Sequence, residues 1–376
     1  MKCHITYIIG RLILCMGMVL LLTTCTDDSS VQDREDYDLL QLVGLNTELM
    51  TEQTRLTGYK DYGSYTTTVL GRSYESGDIS IGVYMVTPPT ATTAEKVSAL
   101  SRFIYLGNQE TDKNKWQSMV EVKKGVTYYL YGYMPVEMGG TAKIEKLPNK
   151  TSYVDGAKLT LSGISPVSAY DACVVSGIQQ VASTSSPEAL VAGQYHYEGK
   201  EKGQNHVYMM LDHLYASVSI DLKVEVSYAE LRTIKLKKMA LASTAVEKVN
   251  AVLSLAANVP YQVNWEETAG TAESTPFYEN KEGLELPTST TTQPMYGYFV
   301  PISNVANSLT LVCIYDVYDK KGNLLRKDCT AANQLSTLFS NLKAGEQQRF
   351  HLTVSPTYLY QLSDADLDNP TFTVEN

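Results

Sequence analysis

The sequence predicts an all-β protein made of two tandem antiparallel β-sandwich domains, and three observations carry that expectation. The composition is rich in Tyr, 27 residues against 6 Phe and 2 Trp, which suits pleated, half-exposed sheets. Apolar residues recur at period two rather than at helical spacing. Short runs of this kind alternate with turn residues, which favours antiparallel sandwiches over a fold that alternates strands and helices.

The N-terminus reads as an export signal. Lys2 and Arg11 precede an apolar run from Leu12 to Leu22, about eleven residues long and well short of the ~20 that a membrane-spanning helix needs. Leu22-Thr23-Thr24-Cys25 resembles a bacterial lipobox, with Thr24 where Gly, Ala or Ser is usual. The resemblance implies cleavage before Cys25 and acylation of its sulfur, which makes residues 1–25 a signal peptide. Asp27 and Asp28 resemble the surface-export signal of Bacteroidetes lipoproteins. Each buried acyl methylene contributes about 0.8 kcal/mol, so two or more chains form a stable anchor in the outer membrane. Loss of the signal takes the net charge from −10 to −12, because Lys2 and Arg11 leave with no acidic residue. So acidic a chain disfavours nucleic acid as a partner.

The strand signals follow in order. Ile79 to Val86 and Val126 to Tyr133 end before Pro88 and Pro135. From Leu214 to Val224, Leu214, Ala216, Val218, Ile220, Leu222 and Val224 alternate with Tyr215, Ser217, Ser219, Asp221 and Lys223, which predicts one face on a core and one in water. Ser308 to Val317 and Gln348 to Val354 complete the set. Asp319-Lys320-Lys321-Gly322-Asn323 predicts a tight turn with Gly322 left-handed. That register sets Asp316 opposite Arg326 and Cys313 opposite Cys329, the latter as a disulfide or as two buried thiols. Cys173 is read as a core residue. A small polar stretch, Ser183-Thr184-Ser185-Ser186-Pro187, suggests a domain boundary, giving sandwiches over 56–187 and 188–355. Tyr131-Gly132-Tyr133-Met134-Pro135 and Tyr296-Gly297-Tyr298-Phe299-Val300-Pro301 form a faint echo between the halves.

Signals for catalysis or cofactors are missing. The chain has no CxxC, H-x-x-x-H, G-x-S-x-G or P-loop pattern, so neither an enzyme, a cofactor nor a metal site is expected. His196 and His206 are read as surface residues. Asp364, Asp366 and Asp368 lack the Gly and distal Glu of a calcium loop and read as a solvated turn. Trp116 and Trp265 could stack on sugars, but aromatic residues commonly fill cross-strand positions.

Taken in order, these features resemble the fimbrillin family of Bacteroidales, fimbrial subunits with two transthyretin-like sandwiches. The matching segments are the lipoprotein signal, the early strand followed by arginine, and Lys115-Trp116 through Tyr128-Tyr129-Leu130-Tyr131-Gly132-Tyr133-Met134-Pro135. Asp212-His213-Leu214-Tyr215-Ala216 and Leu342-Lys343-Ala344-Gly345 with Arg349-Phe350-His351-Leu352-Thr353-Val354 complete them. The resemblance implies a lipid-anchored precursor at the cell surface, cut by an arginine-specific protease and assembled with other fimbrial subunits into an adhesive fimbrium. The resemblance makes Leu39 to Leu49 the first strand and Arg55 the matching cleavage position, so that 26–55 is a propeptide. Arg34 is the runner-up. Residues 356–376 are a donor strand for a neighbour or a self-packed edge strand, and self-packing points to a tip or accessory subunit. The alternative reading is a glycan-binding surface lipoprotein.

Overall fold

The computed structural model describes residues 36–48, 51–52, 59–62, 68–69, 72–73, 76–106, 116–182, 191–336, 342–358 and 365–375. Cys25, Arg34, Arg55, Asp364 and the stretch from Ser183 to Pro187 lie outside them. Among the described residues strands dominate from Tyr37–Leu39 to Ala365–Glu375, with short helical turns such as Val226–Ala229 and Ser303–Ala306 between. The all-β expectation holds. Strands form close to where alternation placed them, as at Gln41–Glu48, Ser80–Thr87, Thr127–Met134 and Leu309–Asp319.

The first half is a curled sheet. Its order is Trp116–Ser118, Ser101–Tyr105, Ser80–Thr87, Thr127–Met134, Cys173–Val181, His206–His213, Gln41–Glu48 and Tyr59–Tyr62. Ile81, Val83, Phe103, Leu130, Val175 and Met209 fill its inner core. The second half is a sandwich. One sheet runs Val167–Ser168, Met295–Phe299, Ala216–Val224, Glu346–Tyr358, Ala365–Glu375. The other runs Thr275–Glu285, Arg232–Ser243, Leu309–Asp319, Leu324–Gln334. Val218, Ile220 and Leu222 of one share a core with Leu236, Leu241 and Leu311 of the other. The echoed glycines have a common cause, close packing. A Cβ on Gly132 would lie 2.3 Å from Gly82 O, and one on Gly297 would lie 2.7 Å from Leu241 Cδ1.

Two features of the topology differ from the expectation. A further sheet of Thr141–Lys146, Gly156–Ile164, Val246–Ala256 and Gln262–Ala269 joins the halves. The strands flanking the expected 187/188 division, Cys173–Val181 and His206–His213, pair with each other. The first half therefore runs on to His213, because Val207, Met209 and Leu211 complete its core. Pairing is also parallel at two long ladders, Gln41–Glu48 on His206–His213 and Ala216–Val224 on Glu346–Tyr358.

Ala216–Val224 has no watery face. Ser217, Ser219 and Asp221 are buried, because parallel pairing puts Asp221 opposite His351. Asp221 accepts from Arg349 Nε at 3.1 Å, Arg349 Nη2 at 3.0 Å and His351 Nδ1 at 2.7 Å.

The Asp319–Asn323 turn forms as predicted, with Gly322 at φ 84° and Asp319 Oδ1 accepting from the N–H groups of Lys321 and Asn323. Beyond it the expected register fails. Asp328, at φ 52°, makes a bulge whose N–H donates to Asp316 Oδ1 at 2.7 Å. Arg326 consequently faces Val317, Cys313 faces Ala331 and Cys329 faces Tyr315. Asp316 pairs with Lys237 at 3.5 Å instead of Arg326. Cys313 and Cys329 become diagonal neighbours, a placement with Cα atoms about 7–8 Å apart, too far for a bond. Both are free thiols. Burial pushes the Cys313 thiol up to about 12.

The C-terminal segment Ala365–Glu375 is an antiparallel edge strand on Glu346–Tyr358. Phe372 is buried with its ring 4.9 Å from that of Tyr315. Tyr228 Oη donates to Leu367 O at 2.8 Å and Arg232 Nε to Asp368 Oδ1 at 2.8 Å. Asp366 and Asp368 thus belong to a strand and not to a solvated turn.

Candidate functional site

The site with the clearest construction is the groove that holds the first strand. The chain enters with Tyr37–Leu39 antiparallel to Glu121–Lys123. It then changes partner: Leu40 N–H donates to Val120 O and Gln41 N–H to Asn205 O, each at 2.8 Å. Gln41–Glu48 continues parallel to His206–His213, with Tyr59–Tyr62 antiparallel on its other side. A register shift between Leu42 and Gly44, opposite Val207 and Tyr208, makes Val43 an extra residue. That shift lets Leu42 and Leu45 both reach the core despite their odd spacing. Leu40, Leu42 and Leu45 are 0, 2 and 0 % exposed. Gly44 is needed where it stands, since a Cβ there would lie 2.3 Å from the Tyr208 ring. Three buried leucines contribute about 1.5–3 kcal/mol each.

The strand does not end at the first half. Thr51–Glu52 pairs parallel with Glu346 and Gln347 of the second half. The N-terminal segment is thereby strung across both halves, and Arg55 follows it in sequence before Tyr59–Tyr62.

A polar latch holds the start of this segment. Asp38 Oδ2 accepts from Gly203 N–H at 2.7 Å and Asn205 Nδ2 at 2.9 Å. Asn205 is buried; its Oδ1 accepts from Tyr197 Oη at 2.9 Å and Lys200 N–H at 2.8 Å. Burial opposes the Asp38 charge, but the hydrogen bonds from Asn205 and the Gly203 backbone outweigh it and lower the carboxyl below its ordinary 3.8. A depressed carboxyl stabilises the fold above its unfolded pKa, and that contribution fades as pH falls through the folded value. The melting advantage of the native chain over Asp38→Asn is therefore expected at about pH 6 and should fade as pH falls through and below the ordinary carboxyl value of 3.8. An advantage unchanged across that range would contradict the latch.

Other residues singled out in the sequence fall elsewhere. His196 pairs opposite Tyr129 while His206 starts the strand beside Gln41–Glu48, so the two do not meet across a hairpin. Trp116 is buried against the Tyr105 ring, centroids 5.4 Å apart. Trp265 packs near Tyr215, centroids 6.2 Å apart. Sequence reading missed one cluster, Asp171, Cys173 and His213, all buried. Its only signal was Asp171 and Cys173 at alternate positions.

Fold and groove together define an all-β sandwich protein whose first core is closed by its own N-terminal strand. No protein-family model matches the chain, and no curated protein matches it. Among solved structures it is similar to a candidate cell adhesion protein of Bacteroides uniformis ATCC 8492, at 14% identity and TM-score 0.38, covering 89% of this chain and 96% of that one. A candidate cell adhesion protein of Bacteroides fragilis NCTC 9343 gives 10% identity and TM-score 0.38, covering 90% and 97%. A fimbrial protein of Bacteroides vulgatus ATCC 8482 gives 12% identity and TM-score 0.30, covering 89% and 98%. At these TM-scores the likeness carries no weight for function.

Proposed function

We propose that the chain is a cell-surface subunit of an adhesive fimbrium, exported as a lipoprotein on Cys25 and assembled by strand exchange after an arginine-specific protease cuts at Arg55. The observation that supports it most is the placement of the first strand. It fills the first core with Leu40, Leu42 and Leu45, yet joins the rest of the chain only through the connection that contains Arg55. Cutting there frees residues 26–55 with the lipid. The edge at His206–Leu211 and the short edge at Glu346–Gln347 lose their partners. Unpaired strand edges over an apolar groove recruit another strand, whose backbone re-pairs the edge and whose alternate side chains refill the pockets.

Charge supports the same step. Residues 26–55 carry eight acidic and two basic side chains, so their loss takes the net charge from −12 to −6 and lessens repulsion between stacked subunits. A cut at Arg34 instead frees the lipid and leaves the first strand seated. Because Ala365–Glu375 is packed on its own half, the chain acts as an acceptor at a tip or accessory position. Its partners are the neighbouring subunit that supplies the strand, the protease, and, before processing, the outer membrane.

The experiment is limited digestion of the lipidated precursor with an arginine-specific protease in the presence of candidate partner subunits. The expected result is cleavage after Arg55 followed by detergent-stable ladders, with Arg55→Gln blocking both. Ladders that form equally from Arg55→Gln, or trimmed chain that stays monomeric with every partner, would sink the proposal. The glycan-binding alternative is weakened, since Trp116 is inside the core and offers no ring to a sugar.

A further inference from the structure

We infer that Asp171, Cys173 and His213 form a buried binding site for a divalent transition-metal ion of the zinc type. Cys173 and His213 stand directly opposite each other where Cys173–Val181 pairs with His206–His213. Asp171 precedes Cys173 by two residues and projects to the same side, since extended chain alternates faces. His213 Nδ1 lies 2.9 Å from Asp171 Oδ2 and 3.6 Å from Cys173 Sγ. One donor atom from each residue lies within 4.8 Å of the others. Zinc bonds of about 2.3 Å to sulfur and 2.0–2.1 Å to nitrogen, opened to the tetrahedral angle, set those two atoms about 3.5 Å apart. The measured Sγ–Nδ1 separation matches that spacing.

A second observation points to a ligand. Asp171 is 1 % exposed, and its Oδ2 lies 2.9 Å from Nδ1 of the equally buried His213. That contact is an ion pair when the ring is protonated, and a bound divalent ion would take the place of the ring proton between the two donors. A buried carboxylate is costly unless a cation balances it, and a metal ion supplies that charge when the His213 ring is neutral. Thiolate, imidazole and carboxylate together suit zinc better than magnesium or calcium, which prefer oxygen donors alone. With Asp171 binding through both oxygens, four donors are at hand.

The surroundings hold the donors in place. Leu214 N–H donates to Ala172 O at 2.7 Å, and Tyr261 Oη donates to His213 O at 3.1 Å. Gly345 lies over the ring, where a Cβ would come within 3.5 Å of His213 Cδ2. The site sits where the first half hands over to Ala216–Val224, so a bound ion clamps the last two strands of the first half at the crossover. On binding, the Cys173 thiol releases its proton to solvent as the metal–sulfur bond forms, and no electron changes hands.

The test uses the chain from residue 26, which omits Cys25 and its lipid, unfolded with chelator and refolded with zinc, cobalt or chelator. Cys173, Cys313 and Cys329 are then its only thiols. The expected result is one metal ion retained per chain, a higher melting temperature than after refolding with chelator, and a thiolate-to-cobalt charge-transfer band. That band is lost in Cys173→Ser and kept in the double variant Cys313→Ser with Cys329→Ser. Should Cys173→Ser fail to fold, persistence of the band in the double variant assigns the thiolate by elimination. Failure to retain metal, metal held without the band, or loss of the band in the double variant overturns the inference. None of these outcomes depends on cleavage at Arg55.

Discussion

Substituting Leu40 and Leu45 together by Ala is expected to weaken the seating of the first strand by about 4–10 kcal/mol, at about 2–5 for each buried leucine. Both side chains are fully buried in the first core. Such a loss rivals the whole stability of an ordinary domain, but it falls on an element one strand in from the sheet's end, flanked there by the short Tyr59–Tyr62. Local release is the cheaper response. The first strand should leave while Val218, Ile220 and Leu311 keep the second core intact, since that core contains none of the altered residues. Hydrogen exchange reads this directly. The amides of 206–211 that face the first strand should lose protection, while those of Leu309–Asp319 should not. Leu39→Ala, at a position 41 % exposed, should shift stability by no more than about 0.5 kcal/mol. Unchanged protection at 206–211 in the double variant would show that the strand is not held by its leucines.

Asp221→Ala is expected to destabilise the second half by about 3 kcal/mol, the low end for breaking a buried ion pair. The carboxylate is fully buried, whereas its partners Arg349 and His351 are 43 % and 44 % exposed in their side chains. Once freed, those partners can turn toward water, which keeps the loss from being larger. Chemical denaturation checks it: the midpoint should drop for the second core with its denaturant slope preserved. A change below about 0.5 kcal/mol would mean that the pair is only a surface contact.

How these elements were legible in the sequence depends on the physics behind each. Strand identity follows from local alternation, so Ser80–Thr87 and Thr127–Met134 could be read directly. The Asp319–Asn323 turn could also be read, because a left-handed glycine and an aspartate cap are local causes. Pairing is not local. The bulge at Asp328 rests on Asp316, on Lys237 of another strand and on a positive φ in a non-glycine residue, and it moved Cys313 away from Cys329. Alternation also misjudged Asp221, since Ser217, Ser219 and Asp221 look like a wet face until Arg349 and His351 arrive from the far end of the chain. The polar run near Ser183 lies outside the described residues, and the strands on either side of it, Cys173–Val181 and His206–His213, pair with each other. The metal-type cluster needs Cys173 and His213 in register across two strands, which no spacing within one strand reveals.

The most direct measurement of the central claim is strand complementation. A chain beginning at Leu56 is compared with and without a synthetic peptide of residues 36–52, following the melting temperature and the exchange of amides 206–211. The predicted result is a lowered melting temperature and exposed amides in the trimmed chain, both restored by the peptide. A peptide carrying Leu40→Ala and Leu45→Ala should restore neither. A trimmed chain as stable and as protected as the precursor, without any peptide, would contradict the claim that the first strand fills a groove awaiting replacement.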